Sequence, residues 1–391
     1  VLSLPLIIHL DADAFFVSCE QAVDPALRGT KCAVGGRETG IISSASYEAR
    51  ACGVYTPMPT QRALKVCPDL IMIKHTSGLY GKVSRQMFDL CETVTPLVQR
   101  NSIDEGYLDL SPCGMKSPEE IARTMRELQN LIWRELEIPV SMGIATNKLV
   151  AQIASKWRKP RGFELIPPGG EASFLASLPV GKIPGIGRKT EDRLRGIGII
   201  KIGDILERDE HQLRAIFGRG WREMVACARG EDDGVVETER DDAKSYSQQE
   251  TFGQDVHDPA VIEQVAKRMI DELLGKVRAD GKRVRTMTIK VRYGDFTQES
   301  HGQSLAQAVD IETPFYPLVA PLLKAGWRRN RPLRLISVRF SNVEGSPQQL
   351  EMFSETETKR SKLAAVMDQL NRLGGGAVVI RGHQLTKRPR S

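Results

Sequence analysis

Two short acidic stretches carry residue types suited to chemistry on phosphates. In HLDADAFFVSCE, residues 9–20, Asp11 and Asp13 alternate with Ala12 and Ala14, directly after the apolar run 4–10. That run reads as a buried strand. If it continues, its two-residue period puts both acids on one face, with an unobstructed backbone between them. In NSIDEGYLDL, Asp104 and Glu105 stand side by side at a predicted tight turn between two short strands. Pairing of those strands beside residues 4–10 would bring Asp11, Asp104 and Glu105 to one sheet edge. Three clustered carboxylates repel and raise one another's pKa unless a cation intervenes. A hard divalent ion with oxygen ligands, Mg2+ above all, is the natural partner. Two such ions about 3.5–4 Å apart serve phosphoryl transfer, one activating a hydroxyl and the other gripping the leaving phosphates. Taken singly, each motif has a plainer reading. An Asp-x-Asp more often caps a helix or binds structural water, and adjacent acids in a hairpin turn are commonly solvated.

Further stretches offer cations. SYEAR puts a phenol, Tyr47, and a guanidinium, Arg50, three residues apart on one helix face, where both can grip phosphate oxygens. By itself Arg50 would be an ordinary solvated helix residue. KIPGIGRKTEDRLRGIGI, residues 182–199, reads as a helix-hairpin-helix. Gly185 and Gly187 permit a tight turn that aims backbone N–H groups and a helix start at a phosphate, with Lys182, Arg188 and Lys189 around it. Contacts of this kind position nucleic acid without reading its sequence. Over residues 276–292 come Lys276, Arg278, Lys282, Arg283, Arg285, Lys290 and Arg292 against Asp280 alone. Arg328, Arg329, Arg331, Arg334 and Arg339 crowd a second span. Such clustering is the electrostatic footprint of a polyanionic partner.

The elements that must position these groups follow from periodicity. In the first third, strands are expected around 41–44, 96–100, 107–110 and 140–144, and helices over YEARACG, 87–94 and 147–156. Ser117, before Pro118, Glu119 and Glu120, reads as the cap of a helix running to about residue 136. Residues 173–228 read as helical and punctuated by glycines. GEDDGVVETERDD, residues 230–242, is acidic and poor in apolar residues, the pattern of a linker. Beyond it Val261, Val265, Met269, Leu273 and Val277 recur every four residues, an amphipathic helix. Met287, Ile289 and Val291 alternate with Thr288, Lys290 and Arg292, a half-buried strand with a cationic outer face. Ile336, Val338 and Phe340 alternate with Ser337 and Arg339 in the same way. A sheet with Lys290, Arg292 and Arg339 on its open face can lie along a nucleic-acid backbone.

At 391 residues the chain exceeds one core, and about two to four domains are expected. An apolar content of 41% and a charged content of 27% describe an ordinary globular protein. No segment reaches the ~18 consecutive apolar residues of a membrane span, and no basic, cleavable leader opens the chain. Val1 in place of Met reads as a trimmed start. The seven cysteines are an odd number with no CxxC pair. They argue against disulfides or zinc and for a reducing cytoplasm, each Cys acting as a small buried hydrophobe. The net charge of +6 is mild; its distribution says more.

DADAFF, SSASYEARACGV, SIDEGYLDL and ASKWRKPRG, in this order, resemble a Y-family DNA polymerase of the DinB, translesion-synthesis type. The resemblance runs from about residue 4 to residue 344. It implies a multidomain α/β and α+β right-hand polymerase: a ferredoxin-like palm over 1–22 and 80–170, and small fingers over 23–79. A helix-hairpin-helix thumb over 171–233, a linker over 234–246, an α+β little finger over 247–345 and a tail over 346–391 would follow. By position, Asp11, Asp104 and Glu105 would bind two Mg2+ ions, with the Ala12 carbonyl as a further ligand. Asp13 is not a core ligand of the family. Phe16 would be the steric gate, a ring beneath the incoming sugar that clashes with a 2′-hydroxyl, and Phe15 would be core. Ser44, Tyr47, Arg50 and Lys159 would contact the triphosphate, and Ser43 would lie over the templating base. Arg161 departs from the family's usual Asn. Gln349-Leu350-Glu351-Met352-Phe353 resembles the bacterial sliding-clamp motif, with Met352 where Leu is usual.

The activity implied is template-directed addition of dNTPs to a primer 3′-hydroxyl opposite lesions, with pyrophosphate release and no proofreading. Primer-template DNA, dNTPs and the sliding clamp would be the partners of a cytoplasmic monomer. A non-catalytic adaptor of the same fold would be expected to have lost palm acids, which are present here. A nucleotidyl cyclase shares a palm-like sheet with paired acids but needs no thumb, helix-hairpin-helix or basic second sheet.

Overall fold

The structure is a computed structural model and describes residues 4–36, 40–239, 241–328, 330–345, 363–364, 366–370 and 379. The chain begins β1 (Ile7–Ala12), α1 (Phe15–Val23), β2 (Cys32–Gly35), β3 (Ile42–Ala45), α2 (Tyr47–Ala51), α3 (Thr60–Val66) and β4 (Ile71–Ile73). It continues α4 (Leu79–Glu92), β5 (Val98–Arg100), β6 (Glu105–Asp109), α5 (Pro118–Leu136), β7 (Val140–Ala145), α6 (Lys148–Ser155) and β8 (Phe163–Leu165). Four helices follow: α7 (Glu171–Ala176), α8 (Arg188–Gly196), α9 (Glu210–Phe217) and α10 (Trp221–Arg229). The last elements are β9 (Ser245–Val256), α11 (Pro259–Ala279), β10 (Lys282–Tyr293), β11 (Gln298–Val309), α12 (Tyr316–Gly326) and β12 (Leu333–Gly345). The chain divides into two compact units, Val1–Arg240 and Asp241–Ser391.

In the first unit a five-stranded sheet has the order β5-β6-β1-β7-β8. The central strand, β1, is covered on both faces, which is why IIHLDA is nearly continuously apolar up to its acid. On one face α5 contributes Ile121, Met125, Leu128 and Ile132 at helical spacing, packed with Phe88 and Cys91 of α4 against Leu10, Leu108 and Met142. The Ser117 side chain accepts from the Glu120 N–H, the expected cap. On the other face α6 approaches so closely that a Cβ on Gly143 of β7 would lie 2.1 Å from the Ala151 carbonyl oxygen. The smaller sheet, β3-β2-β4, carries α2 and α3 and closes its own core around Ile42, Met58 and Ala63.

Three sequence expectations change here. β1 extends past residue 10 to Ala12, so Asp11 belongs to the strand, whereas Asp13 follows it and Ala14 is left-handed at φ 47°. The two acids therefore do not share a strand face. The acidic stretch 230–242 is partly strapped down: Asp232 accepts from the Leu149 N–H, and Lys148 Nζ donates to the Val235 carbonyl. In the hairpin, Gly185 has φ +88°, which glycine tolerates without cost, but Gly187 sits at φ −80° as the cap of α8 and needs no special freedom.

The second unit is an antiparallel sheet, β11-β10-β12-β9, with α11 and α12 packed on one face. The four-residue stripe predicted for α11 is displaced. Ile262, Ala266, Met269, Ile270, Leu273, Leu274 and Val277 are buried, while Val261 is 41% exposed. A strict four-residue repeat drifts about 40° per step on a helix of about 3.6 residues per turn, so its first member rotates off the core. The basic run over 276–292 also divides. Arg278, on α11, is held by Glu312 and Asp368, and Lys282 pairs with Asp242. Among the described residues, no helix is long and apolar enough to cross a membrane.

Candidate active site

Strand register builds the acid cluster. Asp11 of β1 lies opposite Glu105 of β6, and the Ala12 N–H donates to the Asp104 carbonyl at 2.8 Å. Gly106, beside Glu105, has no room for a Cβ, which would fall 2.6 Å from the Gln99 carbonyl oxygen and 2.7 Å from the Phe88 ring. The carboxylates converge on lysines. Lys159 Nζ contacts Asp11 Oδ1, and Lys156 Nζ lies 2.7 Å from Glu105 Oε2 and 3.7 Å from Asp11 Oδ2. Burial lifts the Asp11 pKa to about 6 despite its two lysines. Burial also pushes Glu105 up, but the Lys156 ammonium more than offsets this and holds it below its ordinary value. The Asp104 carboxylate accepts instead from Ser102 Oγ. Among the described residues, no three His, Cys, Asp or Glu side chains form a ready-made metal cage.

Asp13 is fully buried and has a structural part. It accepts from Ser141 Oγ at 2.9 Å and from the Arg161 N–H at 2.7 Å, with Lys159 at 3.3 Å. The same contacts show how an arginine is accommodated at residue 161. The backbone there is left-handed, φ 52°, a conformation Asn tolerates better than Arg. Arg161 keeps it through that N–H bond and stacks its guanidinium 5.0 Å above Trp133. His9, on β1, is fully buried with Nδ1 2.7 Å from Ser155 Oγ, and burial lowers its pKa to about 3, so it is neutral.

A cleft of about 170 Å3 opens beside the acids. Asp11, Ala12 and Asp104 form its floor with Phe16, and Ser43, Ser44, Arg50 and Lys159 complete the wall. Phe15 is buried in the core and Phe16 is half-buried. Ser44 is buried and Ser43 exposed. α2, capped by Ser46, presents Arg50, whose Nε donates to the Ala45 carbonyl and whose guanidinium lies 4.8 Å from the Tyr47 ring. Tyr47 stands behind this wall, its hydroxyl 3.4 Å from Asp13, and its pKa is raised by burial. Sequence reading missed Thr56 and Ala14 on the cleft wall, and Lys156. For Lys156 a signal existed: it lies three residues before Lys159, at the end of a helix.

The other predicted contacts fall on surfaces of the two units. In the first, Lys182, Gly185, Gly187, Arg188 and Lys189 are exposed at the turn into α8. In the second, Thr288, Lys290, Ser300 and Arg339 line a cleft of about 260 Å3 on the sheet face away from the helices. Arg292 lies on the same strand and donates to Gln298. The stretch holding Gln349, Leu350, Met352 and Phe353 lies outside the described residues.

A sheet that brings acids together at the ends of its central strands, an exposed glycine turn ringed by cations and a separate basic sheet fit a nucleotidyl-transfer enzyme of the right-hand polymerase class. Residues 10–156 match the impB/mucB/samB family, residues 168–199 the IMS family HHH motif, and residues 243–352 the impB/mucB/samB family C-terminal domain. The chain is 69% identical to a DNA polymerase IV of Opitutus terrae over 387 residues, 99% of each chain. Its fold matches a Y-family DNA polymerase chimera at TM-score 0.77 and 27% identity, covering 87% of this chain and 99% of the other. An insertion ternary complex of Dbh DNA polymerase matches at TM-score 0.63, again at 27% identity and over 87% and 99% of the two chains. The chain belongs to the Y-family DNA polymerases, of the DinB type, and is a DNA-directed DNA polymerase.

Proposed function

We propose that this polymerase performs translesion synthesis by two-metal nucleotidyl transfer, without proofreading. The observation that carries the reading is the convergence of Asp11, Asp104, Phe16, Arg50 and Lys159 on one cleft. The donor set fits Mg2+: it is all oxygen, and Asp11 and Glu105 already converge on a cation, the Lys156 ammonium. Asp11, Asp104, Glu105 and the Ala12 carbonyl would hold two Mg2+ ions, which supply charge neutralisation and a more acidic primer hydroxyl. The protein's own groups do the rest. Lys159 and Arg50, with Tyr47 and Ser44, orient the triphosphate and balance its charge. Phe16 rejects a 2′-hydroxyl. The primer 3′-oxygen attacks the α-phosphorus as the bond to the leaving pyrophosphate breaks.

The palm, fingers, thumb, linker and little finger carry the boundaries given by the family resemblance. The hairpin at 182–189 and the sheet face of Lys290, Arg292 and Arg339 hold primer-template DNA by its backbone. Gln349, Leu350, Met352 and Phe353 dock the sliding clamp, and the enzyme works as a cytoplasmic monomer. Exposed Ser43 leaves room over the templating base, which supports lesion tolerance.

Primer extension with Mg2+ and dNTPs tests this, using Asp104→Ala in parallel and one template bearing a minor-groove guanine adduct. Extension and pyrophosphate release by the parent alone, abolished by EDTA, support the reading. Extension by neither protein would move the non-catalytic adaptor to the front. Phe353→Ala should lose clamp binding while keeping basal extension.

A further inference from the structure

Lys156 touches two parts of this architecture at once. It caps the C-terminus of α6, and its ammonium lies between Glu105 and Asp11. Lys156 also lines a second cleft of about 290 Å3, shared with Ile153 of α6 and with Lys182, Ile183 and Gly185 of the hairpin turn. An ion bridging Asp11 Oδ2 and Glu105 Oε2 must take the place this ammonium fills, because the ammonium lies between those two oxygens and would repel an ion brought against it. Lysine suits such an exchange. It is a compact charge on a flexible stem, without the two-pronged grip that would fix an arginine on a carboxylate. Lys156 is also 39% exposed, so burial does not lock it in place. Lys159 differs: it is 21% exposed and bound to both Asp11 and Asp13.

We propose that Lys156 is an exchangeable counter-ion of the acid pair: a divalent cation displaces it, and the released ammonium holds a DNA backbone phosphate in the cleft beside the hairpin turn. This rests on the metal reading given above. It makes binding of the metal and grip on the primer-template one coupled event, with the lysine neutralising whichever anion is uncovered.

The test uses the full chain, Mn2+ as the probe ion followed by paramagnetic resonance, and primer-template DNA ended by a dideoxynucleotide so that no turnover occurs. Lys156→Gln should bind Mn2+ roughly tenfold more tightly than the parent, since one competing charge is gone, and Lys156→Arg should bind it more weakly than the parent, since a guanidinium holds the carboxylates harder. In Mn2+ the slope of log K for DNA against log salt should be shallower for Lys156→Gln by ~0.9, one phosphate contact. In EDTA the two slopes should coincide. Equal Mn2+ affinity for parent and Lys156→Gln, or equal slopes in Mn2+, overturns the proposal. An Asp11→Asn/Glu105→Gln variant separates the two levels. If it abolishes Mn2+ binding while Lys156→Gln changes nothing, the metal site stands and the exchange falls. If it binds Mn2+ like the parent, the metal reading fails and takes the exchange with it.

Discussion

The ring of Tyr80 lies against that of Phe16, centroids 4.6 Å apart and planes inclined by 38°. Tyr80 is fixed at its far end, where its hydroxyl donates at 2.7 Å to the buried carboxylate of Glu20. Glu20 also accepts from the Thr76 N–H and hydroxyl, each at 2.9 Å. A half-buried phenylalanine on the cleft floor thus has a braced aromatic behind it.

Phe16→Ala should relax the preference for dNTP over rNTP by ~10–200-fold, the range a pocket contact of about 1–3 kcal/mol commands. Tyr80→Ala should shift it in the same direction by less, because Phe16 remains but can recede. Tyr80→Phe keeps the ring and should leave the preference near the parent value, while the loss of a donor to buried Glu20 costs about 1–3 kcal/mol of stability. Paired kcat/KM values for dCTP and CTP decide this. An unchanged ratio in Tyr80→Ala would show that Phe16 stands without support.

Gly143 sets the approach of α6 to the sheet, and therefore the place of Lys156 and Lys159 over Asp11. A Cβ there would meet the backbone of α6 twice, the Ala151 oxygen at 2.1 Å and the Ser155 nitrogen at 2.4 Å. Backbone cannot rotate away, so the helix must shift. Gly143→Ala should cost about 1–3 kcal/mol in stability, and displacement of Lys159 by about 1 Å should cost on the order of 100-fold in kcat/KM. A variant with normal melting temperature and normal extension would refute this view of the contact.

Much of this site is legible in the sequence because strand pairing turns spacing into position. A buried strand ending in Asp11 and a hairpin turn carrying Asp104 and Glu105 can meet only if those strands are neighbours, as they are. The fate of each carboxylate is not legible. Asp13 looks equivalent to Asp11, yet the chain turns left-handed at Ala14 and buries Asp13 against Ser141 and Arg161, residues far along the sequence. For Lys156 the spacing from Lys159 is a hint, but its place beside Asp11 and Glu105 appears only when α6 is laid against β7. The basic run over 276–292 overstated its outer face, because α11 and β10 alternate faces independently and Arg278 turns to Glu312.

That Arg278–Glu312 pair gives a prediction for the second unit. Arg278 Nη1 lies 2.8 Å from Glu312 Oε1, with side-chain exposures of 11% and 3%, and Arg278 also donates to the Asp310 carbonyl and to Asp368. Removing one member of a buried pair costs more than the pair is worth, because a charge is left in a poor solvent. Arg278→Met should therefore lower stability by about 3–5 kcal/mol, and adding Glu312→Gln should recover part of the loss. Calorimetry of both variants decides; a double variant no better than the single would mean that packing, not charge, is at stake.

The buried cysteines should behave as hydrocarbon. Burial pushes the thiols of Cys19 and Cys91 up to about 12 and that of Cys67 to about 11. In the unfolded chain a thiol ionises near pH ~8.5. The folded state therefore favours the protonated form, and this contribution is complete below pH ~8.5 and is lost as pH rises toward the folded values. At pH 8.5 iodoacetamide should label Cys19, Cys67 and Cys91 slowly in the native protein and rapidly in urea. The partly exposed Cys52 and Cys113 should react first. The urea midpoint should also fall between pH 8.5 and 11, and by less in Cys19→Ala/Cys91→Ala once its own packing loss is measured at pH 7. Rapid native labelling at Cys19 or Cys91 would mean that α1 or α4 opens locally far more often than the packed core implies.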